Sequence, residues 1–184
     1  MVVTITGHLN IERCFGINQL DNSVYDKESY NNVFNDIENY LINFVKEHGI
    51  KLKDLELVSG MARGVDEIFA LIAIKHNLKL IISIPKSINY HRNKIIKETP
   101  NLKIAALKYK EILEYKKLTI IEVNDNLNKG GYGYFLARNA DMVNRSDYVF
   151  SYKCYDSTGT NDCIERAKSN NKYKGNIKVI SKCL

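Results

Sequence analysis

The residues best suited to chemistry lie in Val58-Ser59-Gly60-Met61-Ala62-Arg63-Gly64-Val65-Asp66. The apolar run Leu55-Glu56-Leu57-Val58 precedes them, and the apolar-periodic run Val65 to Ile74 follows. This order predicts a strand, a glycine turn and a helix. Two glycines four apart let the chain turn with φ > 0 and let a ligand approach the backbone. A helix beginning near Gly64 aims free N–H groups and a partial positive charge over the turn. Arg63 adds a full charge. Together they predict an anion site, most simply for phosphate. The stretch is not a Walker A loop, because no Gly-Lys-Ser/Thr follows, and it is not the dinucleotide G-x-G-x-x-G. Its competing reading is a tight strand–helix connection with an exposed arginine.

A second strand–turn–helix comes late in the chain. Tyr148 to Tyr152 reads as a strand, Asp156-Ser157-Thr158-Gly159-Thr160 as the turn, and Asn161 to Lys168 as the helix. Hydroxyls and open N–H groups at a helix start again suit phosphate. Asp66 stands near the start of its helix, where a carboxylate complements the dipole. A ribose hydroxyl or Arg63 are its other partners. Gly7-His8 ends the first strand. His8 either faces a ligand or hydrogen-bonds its own loop.

The elements that must hold these residues alternate. Val2 to Thr6 is a strand of β-branched residues, and Asn10 to Lys27 is a long polar connection that could fold over a crevice. Ser29 to His48 reads as a helix, with Val33, Ile37, Tyr40, Leu41, Phe44 and Val45 on one face. Lys79 to Pro85 is a strand, Tyr90 to Lys117 a basic helical stretch broken at Pro100, and Leu118 to Val123 a strand. His91 and Arg92 follow the third strand, so they could line a crevice, with surface exposure the leading expectation. Asn124 to Tyr134 is a glycine-rich loop whose tyrosines suit a lid, base stacking or a subunit contact. Tyr134 to Arg145 is a helix carrying Arg138, Asn139 and Asp141, and Ile177 to Ile180 reads as the last strand. The alternation predicts an α/β fold, a parallel sheet with helices on both faces.

The chain has 184 residues, which predicts one domain over 1–184. The net charge of +6 favours anionic partners, nucleotides or nucleic acid. The basic residues are widely spread, which favours a solvated surface over a dedicated nucleic-acid groove. Cys14, Cys154, Cys163 and Cys183 form no C-x-x-C and no zinc spacing with histidine. Free thiols in a reducing cytosol, no metal and no cofactor are the expectation. No apolar run reaches membrane-spanning length, and the N-terminus has no signal-peptide pattern. A cytoplasmic location follows as an expectation.

Thr6-Gly7-His8, Ser59-Gly60-Met61-Ala62-Arg63-Gly64-Val65-Asp66, Arg138-Asn139-Ala140-Asp141-Met142-Val143, Ser146-Asp147 and Gly159-Thr160 occur in a telling order. Together they resemble the SLOG superfamily of Rossmann-like proteins, most of all its YpsA-like branch, over nearly the whole chain. The resemblance implies a site over the carboxyl ends of the central strands that takes nucleotides or nucleotide-derived molecules. It also implies a homo-oligomer. The implied ligand-binding residues are Gly7, His8, Ser59, Gly60, Met61, Ala62, Arg63, Gly64, Asp66, Arg138, Asn139, Ser157, Thr158, Gly159 and Thr160.

The Lonely Guy type in this superfamily cleaves nucleoside monophosphates. Its Arg-Lys pair is matched by Arg138, but Asn139 replaces the lysine. Cys163 stands where its catalytic Glu would be, with Asp162 and Glu165 nearby. Cleaving an N-glycoside needs a carboxylate at the sugar, so Asp162 and Glu165 are the candidates for an alternative phosphoribohydrolase activity. The DNA-processing-protein-A type shares Gly-Met-Ala-Arg-Gly and binds single-stranded DNA, but no extra domain or arginine-rich aromatic stripe is visible here. The leading expectation is a sensor or sequestering protein for a nucleotide or ADP-ribose-like ligand. A DNA-binding module using the basic Lys86 to Lys117 segment is the further alternative.

Overall fold

The computed structural model describes residues 1–17, 26–98, 102–127 and 130–177. Six parallel strands form one sheet: β1 (Val2–Gly7), β2 (Glu56–Ser59), β3 (Lys79–Pro85), β4 (Leu118–Val123), β5 (Tyr148–Tyr152) and β6 (Tyr173–Asn176). Their order across the sheet is β4-β3-β2-β1-β5-β6. The expected α/β sheet is therefore present. The expected last strand at 177–180 is not where β6 lies. β6 comes earlier, at Tyr173–Asn176, pairing with β5, and residues 178–180 are outside the described residues. Lys172 N–H donates to Ala167 O directly after the preceding helix, so pairing starts at once.

Among the described residues six helices connect the strands: α1 (Lys27–Glu47), α2 (Val65–Lys75), α3 (Ile88–Glu98), α4 (Leu102–Leu113), α5 (Gly133–Arg145) and α6 (Thr158–Ser169). A short 3-10 turn, Ile11–Phe15, occupies part of the first long connection. The strand order runs outward from β1 to β4 and then resumes at β5 on the other side of β1. Right-handed crossovers in the two directions place helices on opposite faces. Accordingly α1 and α2 pack together on one face, with α4 against α2, and α5 pairs with α6 on the other.

The alternation of β-branched and aliphatic residues is buried as a parallel sheet requires. Val3, Ile5, Leu57, Val58, Ile82 and Ile84 are fully enclosed. The predicted face of α1 is core: Val33, Ile37, Leu41, Phe44 and Val45 are buried, and Phe44 meets Phe150 and Tyr148 edge to face. Asp26 caps α1 by accepting from Ser29 N–H at 2.7 Å. The chain changes direction between β1 and β5, and in open parallel sheets the strand ends at such a switch leave a crevice.

Candidate functional site

A crevice of about 500 Å³ opens at that place. Thr6, Gly7 and Leu9 line it from the end of β1, and Ala62 and Asp66 from the glycine turn and α2. Tyr90, His91, Lys94 and Ile95 of α3 form one wall. Gly131, Tyr132, Phe135, Arg138, Asn139 and Met142 form another, and Ser157, Gly159 and Thr160 close it at the start of α6. Its volume is typical of a small-molecule site.

The glycine turn is built differently from the sequence expectation. Left-handed φ falls on Met61 (53°) and Gly64 (83°), not on Gly60. Gly60 is needed for another reason: a Cβ there would overlap the Arg138 guanidinium and crowd Asp66 Oδ2. A Cβ on Gly64 would overlap the backbone of His8 and Leu9. What approaches these glycines closely is the protein itself. Ser59 Oγ donates to Asp66 O at 2.6 Å and accepts from Met61 N–H at 3.1 Å. Val65 N–H donates to His8 O.

Arg63 does not line the crevice. Its guanidinium donates to Glu12 Oε1 at 3.1 Å and to Asn10 Oδ1 at 3.3 Å, and Glu12 is almost fully buried. A buried carboxylate needs such a partner, which holds the arginine away from the ligand side. Arg138 is at the crevice. Its Nη1 donates to Gly60 O at 2.7 Å and to Asp66 Oδ2 at 3.2 Å. Burial pushes the Asp66 carboxyl up to about 6, and the Arg138 charge offsets part of that rise.

His8 is buried but does not line the crevice. Its Nε2 accepts from the N–H groups of Cys154 (2.8 Å) and Tyr155 (3.2 Å), and its ring stacks on Tyr155 at 3.5 Å. It fastens the loop after β5 to the end of β1. The expected free thiols are corrected at the same spot: Cys14 and Cys154 form a disulfide across 140 residues, with Cα atoms 5.5 Å apart. Spacing rules could not see this pairing, because folding brings the Ile11–Phe15 turn against the β5 loop. The ligating atoms of His8, Cys14 and Cys154 lie within 4.8 Å of one another. Joined sulfurs are not thiolates, so in this oxidised form they hold no metal.

The start of α6 faces the crevice with its hydroxyls linked in series. Ser157 Oγ caps the helix and donates to Thr160 Oγ1 at 2.9 Å, and Thr160 Oγ1 donates to Gly7 O at 3.0 Å. Thr158 is exposed and outside the lining. Asn139 Nδ2 donates to Gly159 O and to Asp162 Oδ2, tying α5 to α6. That bond and two from Arg166 Nε occupy Asp162. Glu165 is exposed and pairs with Lys168. Neither lines the crevice, where Asp66 is the only carboxylate among the described residues. Cys163 is enclosed between α5, α6 and β5, and burial pushes its thiol up to about 12.

His91 overturns its expected exposure. It is fully buried and lines the crevice, and burial with the nearby Arg138 charge pushes its pKa down to about 3. Sequence reasoning also missed Tyr90, Lys94, Ile95, Phe135 and Met142. The signal was present as helical spacing. Phe135, Arg138, Asn139 and Met142 repeat at i, i+3, i+4 and i+7, one face of α5, and Tyr90, His91, Lys94 and Ile95 share a face of α3.

No family model matches the sequence, and no curated protein does. Solved structures do share the fold. DNA processing protein A from Streptococcus pneumoniae aligns over 98% of this chain and 51% of its own, at 15% identity and a TM-score of 0.57. DNA processing protein A from Helicobacter pylori, described as having a single-stranded DNA binding mode, aligns over 98% of this chain and 67% of its own, at 18% identity and a TM-score of 0.58. This chain thus spans about half the length of the first neighbour. The likeness establishes a Rossmann-like α/β fold.

Proposed function

We propose that the crevice binds a nucleotide, with phosphate at the start of α6 and the base among the aromatic side chains of α3 and α5. One observation carries this reading: a helix N-terminus and an aromatic wall share one cavity of nucleotide size. Gly159 N–H, at the crevice, has no protein acceptor among the described residues, which suits an anionic oxygen. Tyr90, Tyr132 and Phe135 offer ring faces.

Two sources of that nucleotide have separate support. A single DNA strand is favoured by the structural neighbours, both DNA processing proteins, one of them described as binding single-stranded DNA. The rim suits a strand as well: Lys86 lies over the Tyr90 and Tyr134 rings at 4.8 and 4.2 Å. A free nucleotide or ADP-ribose-like molecule is favoured by the crevice alone. The basic 86–117 segment does not form one stripe. Lys86 and Lys94 are at the crevice end of the sheet, and Lys116 and Lys117 at the opposite end beside Lys53 and Lys79. The phosphoribohydrolase reading draws no support from Asp162 or Glu165.

Placement in the SLOG superfamily and its YpsA-like branch rests on the sequence motifs, a homo-oligomer on that resemblance, and the single domain over 1–184 on the chain length. Among the described residues no helix is long and apolar enough to cross a membrane.

The test is mass spectrometry of small molecules released from the denatured protein, then titration with what is found and with oligo(dT). Recovery of an intact nucleotide whose binding Arg138→Ala abolishes supports the free-ligand source. Oligo(dT) binding that falls steeply with salt and is lost in the same variant supports the strand. Binding of neither, or binding indifferent to Arg138→Ala, removes the crevice from the function.

A further inference from the structure

Two buried side-chain nitrogens in the crevice wall have no hydrogen-bond partner among the described residues: His91 Nε2 and Arg138 Nε. His91 is fully enclosed and Arg138 is 8% exposed, and both line the cavity. Buried polar atoms are almost always paired, so two orphans in one cavity wall mark where a ligand atom belongs.

The chemistry of that atom follows from Tyr109. Its hydroxyl lies 3.1 Å from His91 Nδ1, its only hydrogen-bond partner among the described residues. Tyr109 is buried, and burial pushes its phenol up to about 12, so the oxygen keeps its proton. If the phenol donates to Nδ1, one orphan remains, His91 Nε2–H. If Nδ1–H donates instead, the phenol proton and Nε2 are both stranded. The first arrangement is therefore favoured, and the neutral imidazole carries an unpaired donor at Nε2. Arg138 Nε is also a donor. The missing partner is an acceptor.

That acceptor is better a neutral carbonyl than a phosphate. His91 contributes no charge. The Arg138 charge is shared with Asp66, whose carboxylate would repel a dianion. Ile95, Phe135 and Met142 make this part of the lining apolar, and the α6 start offers phosphate its own seat. We propose that His91, held by Tyr109, acts with Arg138 Nε to recognise the exocyclic keto oxygen at purine C6 or pyrimidine C4 of a nucleobase. The site then selects guanine, hypoxanthine, uracil or thymine over adenine and cytosine, whose amino group at that position is a donor. This rests on the nucleotide reading of the crevice and holds for a free nucleotide or one unit of a strand.

The test compares pairs that exchange keto for amino at that position, with the ring N–H that accompanies it: IMP with AMP, UMP with CMP, and oligo(dU) with oligo(dC) of equal length. Each is titrated calorimetrically into the full chain. The keto member should bind at least about tenfold tighter, the scale of one buried hydrogen bond lost against a repelled donor. His91→Phe should bring the members of each pair within about twofold, and His91→Gln, which keeps an N–H donor, should restore part of the preference. Tyr109→Phe, which frees the imidazole tautomer, should weaken the preference without abolishing binding. A preference confined to oligonucleotides identifies the strand as the source, and one seen with mononucleotides identifies the free ligand. Equal binding of both members, or a preference that survives His91→Phe, overturns base selection and leaves the nucleotide reading standing. A His91→Phe loss for ribose 5-phosphate equal to that for IMP also overturns it, because the donors then seat phosphate. If nothing binds, both readings fall.

Discussion

The two strand–turn–helix junctions use similar residues for opposite ends. At Ser59–Asp66 the turn is closed by protein. Ser59 Oγ ties Met61 N–H to Asp66 O, Arg138 fills the space over Gly60, and the His8–Leu9 backbone fills the space over Gly64. At Ser157–Thr160 the turn is left open to the crevice. A Cβ on Gly159 would meet only the Tyr132 hydroxyl, at 3.2 Å. A glycine turn at a helix start is thus an anion seat only when tertiary packing leaves it empty. The first junction is a latch that positions Arg138, and the second faces the cavity.

Replacing the two glycines tests this contrast most strongly. Gly60→Ala forces a methyl into the Arg138 guanidinium and should cost about 3 kcal/mol or more in denaturant unfolding. Gly159→Ala should change stability by less than about 1 kcal/mol, because Ala is the better helix former and only one side-chain tip must shift. Equal costs would erase the distinction between latch and seat.

Arg63 comes next. Arg63→Ala strands the buried Glu12 carboxylate and should cost about 2–4 kcal/mol of stability, with ligand affinity unchanged. A large loss of affinity in a folded Arg63→Ala protein would return the first turn to the binding site.

The latch should also carry a pH signature. Burial raises the folded pKa of Asp66 to about 6, above its ordinary value of 3.8. The folded state therefore holds the proton more tightly than the unfolded one. Its stabilising contribution is full below about pH 4 and is lost as pH rises through 6. From pH 7 down to pH 5, wild type should gain about 1 kcal/mol relative to Asp66→Asn, read as the difference between their unfolding free energies. A difference that stays flat over this window would place Asp66 in a more polar setting.

The smallest effect belongs to the open turn. Ser157→Ala removes the α6 cap and should cost about 1 kcal/mol. If phosphate sits at this turn, the same variant should also weaken nucleotide binding in calorimetry.

Much of the fold was legible because parallel strands and amphipathic helices write their burial into local spacing. β3, β4 and β5 have the bounds their apolar runs predict. β6 did not follow, since Tyr173-Lys174-Gly175-Asn176 is neither apolar nor alternating, and its pairing with β5 makes it a strand. The sequence order of motifs pointed to the strand ends where the crevice lies, and Arg138, Asn139, Gly159 and Thr160 line it. Local sequence could not show that Arg63 is held by Glu12 from 51 residues away, or that Cys14 meets Cys154. It could not show that Tyr109 reaches back 18 residues to orient His91. Periodicity determines which face of an element is buried, because that depends on neighbours a few residues apart. Which buried polar groups satisfy one another, and which are left for a ligand, is decided only when distant segments pack.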